Sequence, residues 1–252
     1  MITQAIWQAC SGPAHIRSIS GKLQRLVESQ EQIATLGYVD TLDEQALLEQ
    51  MLDEAKPVSQ PDCEALHYLL KTPFRYPPLK WGSRFGGVHE RSLFYGGLTL
   101  GAVLAESAFY RFVFWHSMNG APVKDRIRSE HTLFSVRYQT DKGIQLQAPP
   151  FDQYLKELAH PVDYRASQAM GTAMRAAGVL AFEYCSARDP EHGLCAALFS
   201  PDVFRQKKPQ ESSQWFCEVS ADRVSFTQLR SGDIKTYALA HFLVDGALPR
   251  PA

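Results

Sequence analysis

The longest apolar stretch of the chain, residues 98–115, most limits how it can fold. A run of this length forms either a membrane-spanning helix or a helix buried in a core. Glu106 and Arg111 interrupt it, and charged groups in apolar surroundings are costly unless they are paired or used. Thr99 is a typical N-cap residue at the start of the run. We therefore predict a buried helix that ends near His116, in a protein without membrane association.

The rest of the chain mixes strand-like and helix-like segments without a regular strand–helix–strand alternation. Such mixing favours an α+β fold over a doubly wound parallel sheet. Residues 140–143, Thr-Asp-Lys-Gly, are typical of a hairpin turn, so we predict that they join two strands, 131–138 and 144–147. Gly178 follows a helical segment at 166–177 and is well placed to end it. Further strands are predicted at residues 93–95, 179–184, 196–199, 215–219 and 224–229.

The N-terminal part, up to about residue 56, has apolar residues at helical spacing. Thr41 and Glu44 have the spacing of a capping box, in which Thr41 caps a helix and Glu44 reaches back to it. Prolines then break the pattern. We predict a helical extension over residues 1–60 and a main domain over residues 61–252. The apolar positions behind this prediction are Ile19, Leu23, Leu26, Val27 and Ile33.

Charge and cysteine content disfavour several classes of protein. The chain of 252 residues has a formal net charge of -1, which does not suit a general nucleic-acid binder. The five cysteines lack zinc-site spacing, so we expect free thiols, no metal site and a reducing cytoplasm. The N-terminus does not have the pattern of a signal peptide, which also predicts a cytoplasmic protein. The motifs GxGxxG, GxxxxGK[ST], GxSxG and HExxH do not occur.

Three candidate site residues follow one another at equal steps of eleven positions. Arg84 lies in a glycine-rich turn, Tyr95 ends a short apolar run, and Glu106 lies in the apolar helix. Glycines permit close approach of the backbone, and an arginine among them can bind a phosphate with two hydrogen bonds. We interpret the three as a site for a phosphate-bearing nucleotide. Each also fits a structural role, since Arg84 can pair with Glu90 or Glu106 and Tyr95 can belong to the core.

Two further segments carry candidate residues. Arg75 and Tyr76 precede a Pro-Pro pair that stiffens an extended segment. Ser186 follows the predicted strand 179–184, in the loop position where binding residues often lie. A surface arginine beside a packed tyrosine, and a serine that starts a turn, are the structural alternatives.

Taken together, these segments resemble the RES-domain family, which is characterised by an arginine, a glutamate and a serine. The matching residues are Arg84 in SRFGG, Tyr95 in LFYGG, Glu106 in AVLAES, Ser186 in YCSAR, and the upstream pair Arg75 and Tyr76. The resemblance extends over roughly residues 70–205. It implies an ADP-ribosyltransferase-like mixed β core with flanking helices.

The resemblance also implies an activity and a partner. Members of the family are toxins of toxin–antitoxin pairs, so the implied reaction is degradation of NAD+ by cleavage of the bond between nicotinamide and ribose. Water or phosphate is the acceptor, and no cofactor is required. The implied partner is an Xre-like antitoxin that covers the site. Self-association into a homo-oligomer through the N-terminal segment stays open.

Roles for the matching residues follow from this resemblance. Glu106 stabilises the oxocarbenium-like transition state. Arg84, with Arg75, holds the pyrophosphate. Ser186 hydrogen-bonds the ribose or the nicotinamide amide. The two tyrosines that stack on nicotinamide or shape its pocket are Tyr76 and Tyr95.

One position departs from the family pattern, and two alternative functions remain. Cys195 stands where a polar residue, typically asparagine, is expected, so a hydrogen bond to the ligand or loop is in question. One alternative is transfer of ADP-ribose to a macromolecular target. The other is a catalytically impaired interaction protein whose N-terminal helices form the working surface.

Overall fold

A computed structural model describes residues 5–29, 39–58, 60–120, 122 and 124–250. This part of the chain forms six α-helices and one eight-stranded sheet, which confirms the predicted α+β class. The helices are α1 Ala5–Ala9, α2 Leu42–Glu54, α3 Tyr68–Arg75, α4 Leu100–His116, α5 Leu155–Leu158 and α6 Arg165–Ala176. The strands are β1 Arg17–Glu28, β2 Phe94–Gly97, β3 Ile127–Gln145, β4 Ala181–Cys185, β5 Leu194–Leu198, β6 Glu211–Val219, β7 Arg223–Gln228 and β8 Ile234–Ala238.

The long strand β3 connects the two halves of the sheet. It pairs antiparallel with β1 along most of its length, with β6 through residues 127–135, and parallel with β4 through residues 143–145. The strand order is β1-β2-β5-β4-β3-β6-β7-β8, and the additional β1–β3 pairing closes the first five strands into a circuit. The closure brings β1 beside β2, where Gln24 is the register partner of Gly97.

The helical prediction is wrong for residues 17–28, which form β1. Ile19 and Leu23 are four positions apart, a spacing that fits one face of a helix and also one face of a strand. Both are buried in the core against β3, so pairing with a distant strand decides the conformation. Ile33 lies outside the described residues, and the boundary at residue 60 stays a prediction.

The capping box is confirmed at the start of α2. The backbone N–H of Glu44 donates to Thr41 Oγ1 at 3.2 Å, and the Glu44 carboxylate accepts from the Thr41 backbone N–H at 3.2 Å. These two bonds satisfy N–H groups that the first helical turn leaves free.

The predicted hairpin turn at residues 140–143 is wrong, because β3 continues through it. Strand β1 continues beside this segment and pairs Ile19 with Thr140 and Arg17 with Gly143. A Cβ atom on Gly143 would lie 2.2 Å from Ile19 Cγ1, so the glycine allows close approach of the strands rather than a turn.

The apolar helix α4 forms as predicted. Thr99 caps it, since its Oγ1 accepts from the Ala102 N–H at 3.2 Å. Five of its buried residues pack against β6 and β7 in one core cluster, and they are Leu104, Ala108, Phe109, Phe112 and Trp115. Among the described residues, we find no helix with the length and apolarity that crossing a membrane requires. Helix α6 also forms as predicted, and Gly178 follows it with φ +77°.

Candidate active site

A cavity of about 510 Å³ lies between β1, β2, the first half of α4 and the segment 76–87. Four of the six candidate residues line it, which are Tyr76, Arg84, Tyr95 and Glu106. Arg75 and Ser186 do not belong to its lining. The volume falls in the range of about 300–1,000 Å³ that is typical of small-molecule sites.

Arg84 lies in a tight turn that α6 holds in place. Gln168 of α6 donates to the carbonyls of Trp81 and Ser83, both at 3.1 Å. The Arg84 side chain is 8% exposed, and its Nη1 donates to the His160 carbonyl at 2.9 Å. No ion pair of the described residues links this guanidinium to a carboxylate. Arg84 therefore does not form the structural ion pair with Glu90 or Glu106 that the sequence left open.

Tyr95 supports the same turn from the side of the sheet. Its hydroxyl accepts from the Phe85 backbone N–H at 3.1 Å and shares a hydrogen bond of 2.9 Å with the Ser83 hydroxyl. Burial raises the pKa of Tyr95 to about 12, so the phenol stays protonated at neutral pH. Tyr95 thus lines the cavity, and its hydroxyl fixes the backbone next to Arg84.

Glu106 lines the cavity from α4, and Ser186, which is not part of the lining, contacts its carboxylate. The Ser186 hydroxyl donates to Glu106 Oε1 at 2.6 Å and is the carboxylate's one hydrogen-bond donor in the described chain. Ser186 is fully buried and accepts from the backbone N–H groups of Arg188 and Asp189, both at 3.1 Å. Ser186 therefore orients the carboxylate in this structure rather than lining the cavity.

Arg188 fixes the loop that carries Ser186. Its Nη2 donates to the Pro161 carbonyl at 2.8 Å and to the Tyr164 hydroxyl at 3.0 Å. Its guanidinium carbon lies 3.5 Å from the centroid of the Phe109 ring, on the same helix as Glu106. Arg188 is part of the YCSAR motif, which the sequence analysis used only for its serine.

Arg75 does not lie where its predicted role in binding the pyrophosphate requires. Its Nε donates to the carbonyl of Pro57, and the residue lies outside the cavity lining. Sequence reasoning missed three further arginines that line the cavity beside Arg84, and they are Arg25, Arg91 and Arg111. Arg25 comes from a distant segment, whereas Arg91 and Arg111 lie near the three candidate residues and were not assigned to the site.

Comparisons with known proteins agree with this architecture. The family model described as RES domain matches residues 61–220, well over half of the chain. The chain belongs to the RES domain family. A chain in the crystal structure of the M. tuberculosis MbcT-MbcA toxin-antitoxin complex has the same fold, with a TM-score of 0.50 at 10% identity, over 85% of this chain and 93% of that one. A search of curated protein sequences found no similar protein.

Cys195 lies inside the cavity of this RES domain. It is 2% exposed and is the register partner of Tyr184 across β4 and β5, and both residues line the cavity. Burial, assisted by the negative charge of Glu106, raises the pKa of the Cys195 thiol well above its usual range. The thiol is thus neutral at this position. Within the described residues, no group of three or more His, Cys, Asp or Glu side chains is placed to bind a metal ion.

Proposed function

We propose that this RES domain is the toxin of a toxin–antitoxin pair and degrades NAD+ in the cytoplasm. The observation that carries the proposal is Glu106, which lines the cavity and has one oxygen of its carboxylate held by Ser186. Family membership and the likeness to a chain of a toxin–antitoxin complex also support it.

In the proposed reaction the bond between the ribose C1′ and the nicotinamide nitrogen breaks. The bonding electrons go to the nitrogen, so nicotinamide leaves as a neutral molecule and needs no proton. The ribose carbon develops positive charge, and the nearby carboxylate of Glu106 stabilises it. Water or phosphate then bonds to C1′, and water loses a proton to solvent or to Glu106.

Arg84 is the proposed anchor for the diphosphate of NAD+. Arg84 lines the cavity, and its guanidinium has no carboxylate partner in the described chain, so its charge is available to an anionic ligand. Its contacts with the His160 carbonyl and the Tyr164 ring keep it oriented. Tyr76 lies at the rim of the cavity with 42% of its surface exposed, where it is available to stack on an aromatic group of the ligand.

Incubation of the purified protein with NAD+ tests the reaction. We expect release of nicotinamide together with ADP-ribose, or with phosphorylated ADP-ribose if phosphate is the acceptor. Mass spectrometry of the products, with and without phosphate, separates these cases. ADP-ribose attached to a macromolecule would instead support the transferase alternative. A folded protein that leaves NAD+ intact would overturn the proposal.

We further propose that an Xre-like antitoxin covers the cavity. Tyr76 and Leu79 are exposed apolar residues at its rim, and Val88 of the adjoining turn is also exposed. Exposed apolar groups at a cavity entrance are typical of a surface that a partner covers. The purified product of the neighbouring open reading frame should inhibit NAD+ loss, and Leu79→Glu should weaken that inhibition. Full inhibition of the Leu79→Glu variant would exclude this rim.

A further inference from the structure

Strand β1 contributes an arginine to the cavity from outside the segment that matches the family model. Arg25 lies on β1, whereas the match covers residues 61–220. Arg25 Nη1 donates to the Tyr95 carbonyl at 2.8 Å, and the guanidinium carbon lies 5.1 Å from the Phe94 ring centroid. Burial lowers the pKa of Arg25 to about 10, so the group stays charged at neutral pH but has lost much of its hydration.

The four arginines of the cavity lining fall into two pairs of different character. Arg91 forms two hydrogen bonds with the carboxylate of Asp62, at 2.6 and 2.9 Å, and Arg111 pairs with Glu28 at 2.7 Å. Arg25 and Arg84 have no carboxylate partner among the ion pairs of the described residues. Their fixed contacts are backbone carbonyls and aromatic rings.

Tyr95 connects the two segments that carry these guanidinium groups. Its backbone carbonyl accepts from Arg25 Nη1 at 2.8 Å, and its hydroxyl accepts at 3.1 Å from the backbone N–H of Phe85, the residue after Arg84. Arg25, Arg84 and Tyr95 all line the same cavity.

Two cations without a counter-charge, Arg84 buried and Arg25 half-buried, are unfavourable in one cavity, because each has lost hydration and each repels the other. An anionic ligand that contacts both guanidinium groups offsets both costs, through charge-assisted hydrogen bonds that arginine forms well with phosphate. A group with two adjacent phosphates matches two such cations.

We propose that Arg25 and Arg84 together bind the diphosphate of the substrate, so that Arg25 fills the role expected of Arg75. The inference rests on the proposed function, because it takes a dinucleotide as the ligand. The Arg75 guanidinium instead binds the Pro57 carbonyl and lies outside the cavity lining. The N-terminal strand therefore completes the substrate site of the family domain.

Calorimetric titration with ADP-ribose, on wild type and single variants, tests the inference. We expect Arg25→Gln and Arg84→Gln each to weaken ADP-ribose binding at least tenfold, and the matched control Arg75→Gln to bind as wild type does. Adenosine, which lacks phosphate, should bind all four proteins alike. The KM for NAD+ should rise in Arg25→Gln more than kcat falls. Wild-type affinity in Arg25→Gln, or a greater loss in Arg75→Gln, would overturn the inference.

Two additions keep this test separate from the proposed function. Circular dichroism checks folding, and Arg25→Lys retains the charge if Arg25→Gln does not fold; Lys should recover part of the affinity. Inorganic pyrophosphate serves as a second ligand. If wild type binds pyrophosphate but does not cleave NAD+, the proposed function fails, and the Arg25 and Arg84 variants still decide the inference. Absence of both ADP-ribose and pyrophosphate binding in wild type would overturn both.

Discussion

Two acidic residues, Glu106 on α4 and Glu183 on β4, lie in apolar surroundings but have very different hydrogen bonding. Glu183 is 6% exposed and accepts from the Tyr138 hydroxyl at 2.7 Å and from the side-chain amides of Gln145 and Gln147 at 3.0 and 2.9 Å. Glu106 accepts one side-chain bond in the described chain, from Ser186, and lines the cavity.

Burial alone therefore does not mark a reactive acid. A carboxylate has about four acceptor sites, and Glu183 uses three of them on groups of its own fold. Glu106 keeps most of its sites for whatever enters the cavity. We therefore assign Glu183 to stability and Glu106 to chemistry, and the following variants test this division.

The largest effect is expected from Glu106→Gln, which keeps the size of the side chain and removes its charge. Loss of a single electrostatic stabiliser raises the barrier by about 2.7–4 kcal/mol, a loss of roughly 10²–10³ in kcat. Nicotinamide release measures the rate, and urea unfolding should show nearly unchanged stability. A variant that keeps wild-type kcat would remove Glu106 from the mechanism.

Glu183→Ala should act on stability instead. The buried Tyr138 hydroxyl loses its acceptor at a cost of about 1–3 kcal/mol, and the half-buried amides of Gln145 and Gln147 lose theirs at a smaller cost because water can replace it. We expect the free energy of unfolding to fall by roughly 2–3 kcal/mol, with kcat per folded molecule unchanged. Urea titration gives the first quantity and active-site-normalised kinetics the second. A strong loss of kcat in folded protein would contradict the division between the two acids.

Ser186→Ala sharpens the comparison by removing the single side-chain donor of Glu106. The carboxylate then lacks its fixed orientation, so we expect kcat to fall about tenfold, equivalent to about 1.4 kcal/mol. The KM for NAD+ should change little if Ser186 acts through Glu106 and not on the ligand. Ser220→Ala, another loop serine that accepts from a backbone N–H, is the control and should leave kcat intact.

The smallest effect is expected from Cys195→Asn. This change supplies the amide that the resemblance to the family predicts at this position, which lines the cavity next to Tyr184. A gain in kcat of less than about tenfold is expected, because it corresponds to one added hydrogen bond. Steady-state kinetics of Cys195→Asn, compared with Cys195→Ser and wild type, measures this gain in kcat. If both variants are slower than wild type, the thiol is the better fit in this chain.

Local signals predicted much of the fold, and distant pairing explains what they missed. Helix α4 is capped by Thr99, which lies three residues from the N–H that it accepts from, and its own residues supply the apolar surface. Both signals are local, so the sequence was sufficient to predict this helix. Strand β1 was predicted as a helix because its partner, β3, lies more than a hundred residues away. The same separation explains why β3 was divided at residues 140–143.

The candidate site also contains residues that local sequence identifies and residues that only the fold reveals. Arg84, Tyr95 and Glu106 were identified from one short segment, and the structure brings all three to one cavity. Arg25 was not identified, because nothing in the sequence near residue 25 indicates that the closed circuit of strands will place it beside Tyr95. Arg75 was assigned to the site by resemblance, and its contact with the Pro57 carbonyl is visible only in three dimensions.

The pairing of β1 with β3 has a consequence for how a newly made chain gains its cavity. Ribosomes add about 5–20 residues per second, so β1 waits roughly 5–20 s before its partner strand is synthesised. The donor to Glu106 and the strand beside β2 come later still, at residues 186 and 194–198. A nascent or prematurely terminated chain that ends before residue 198 therefore lacks part of the cavity and the donor to Glu106, so any activity of this site requires most of the chain to be synthesised.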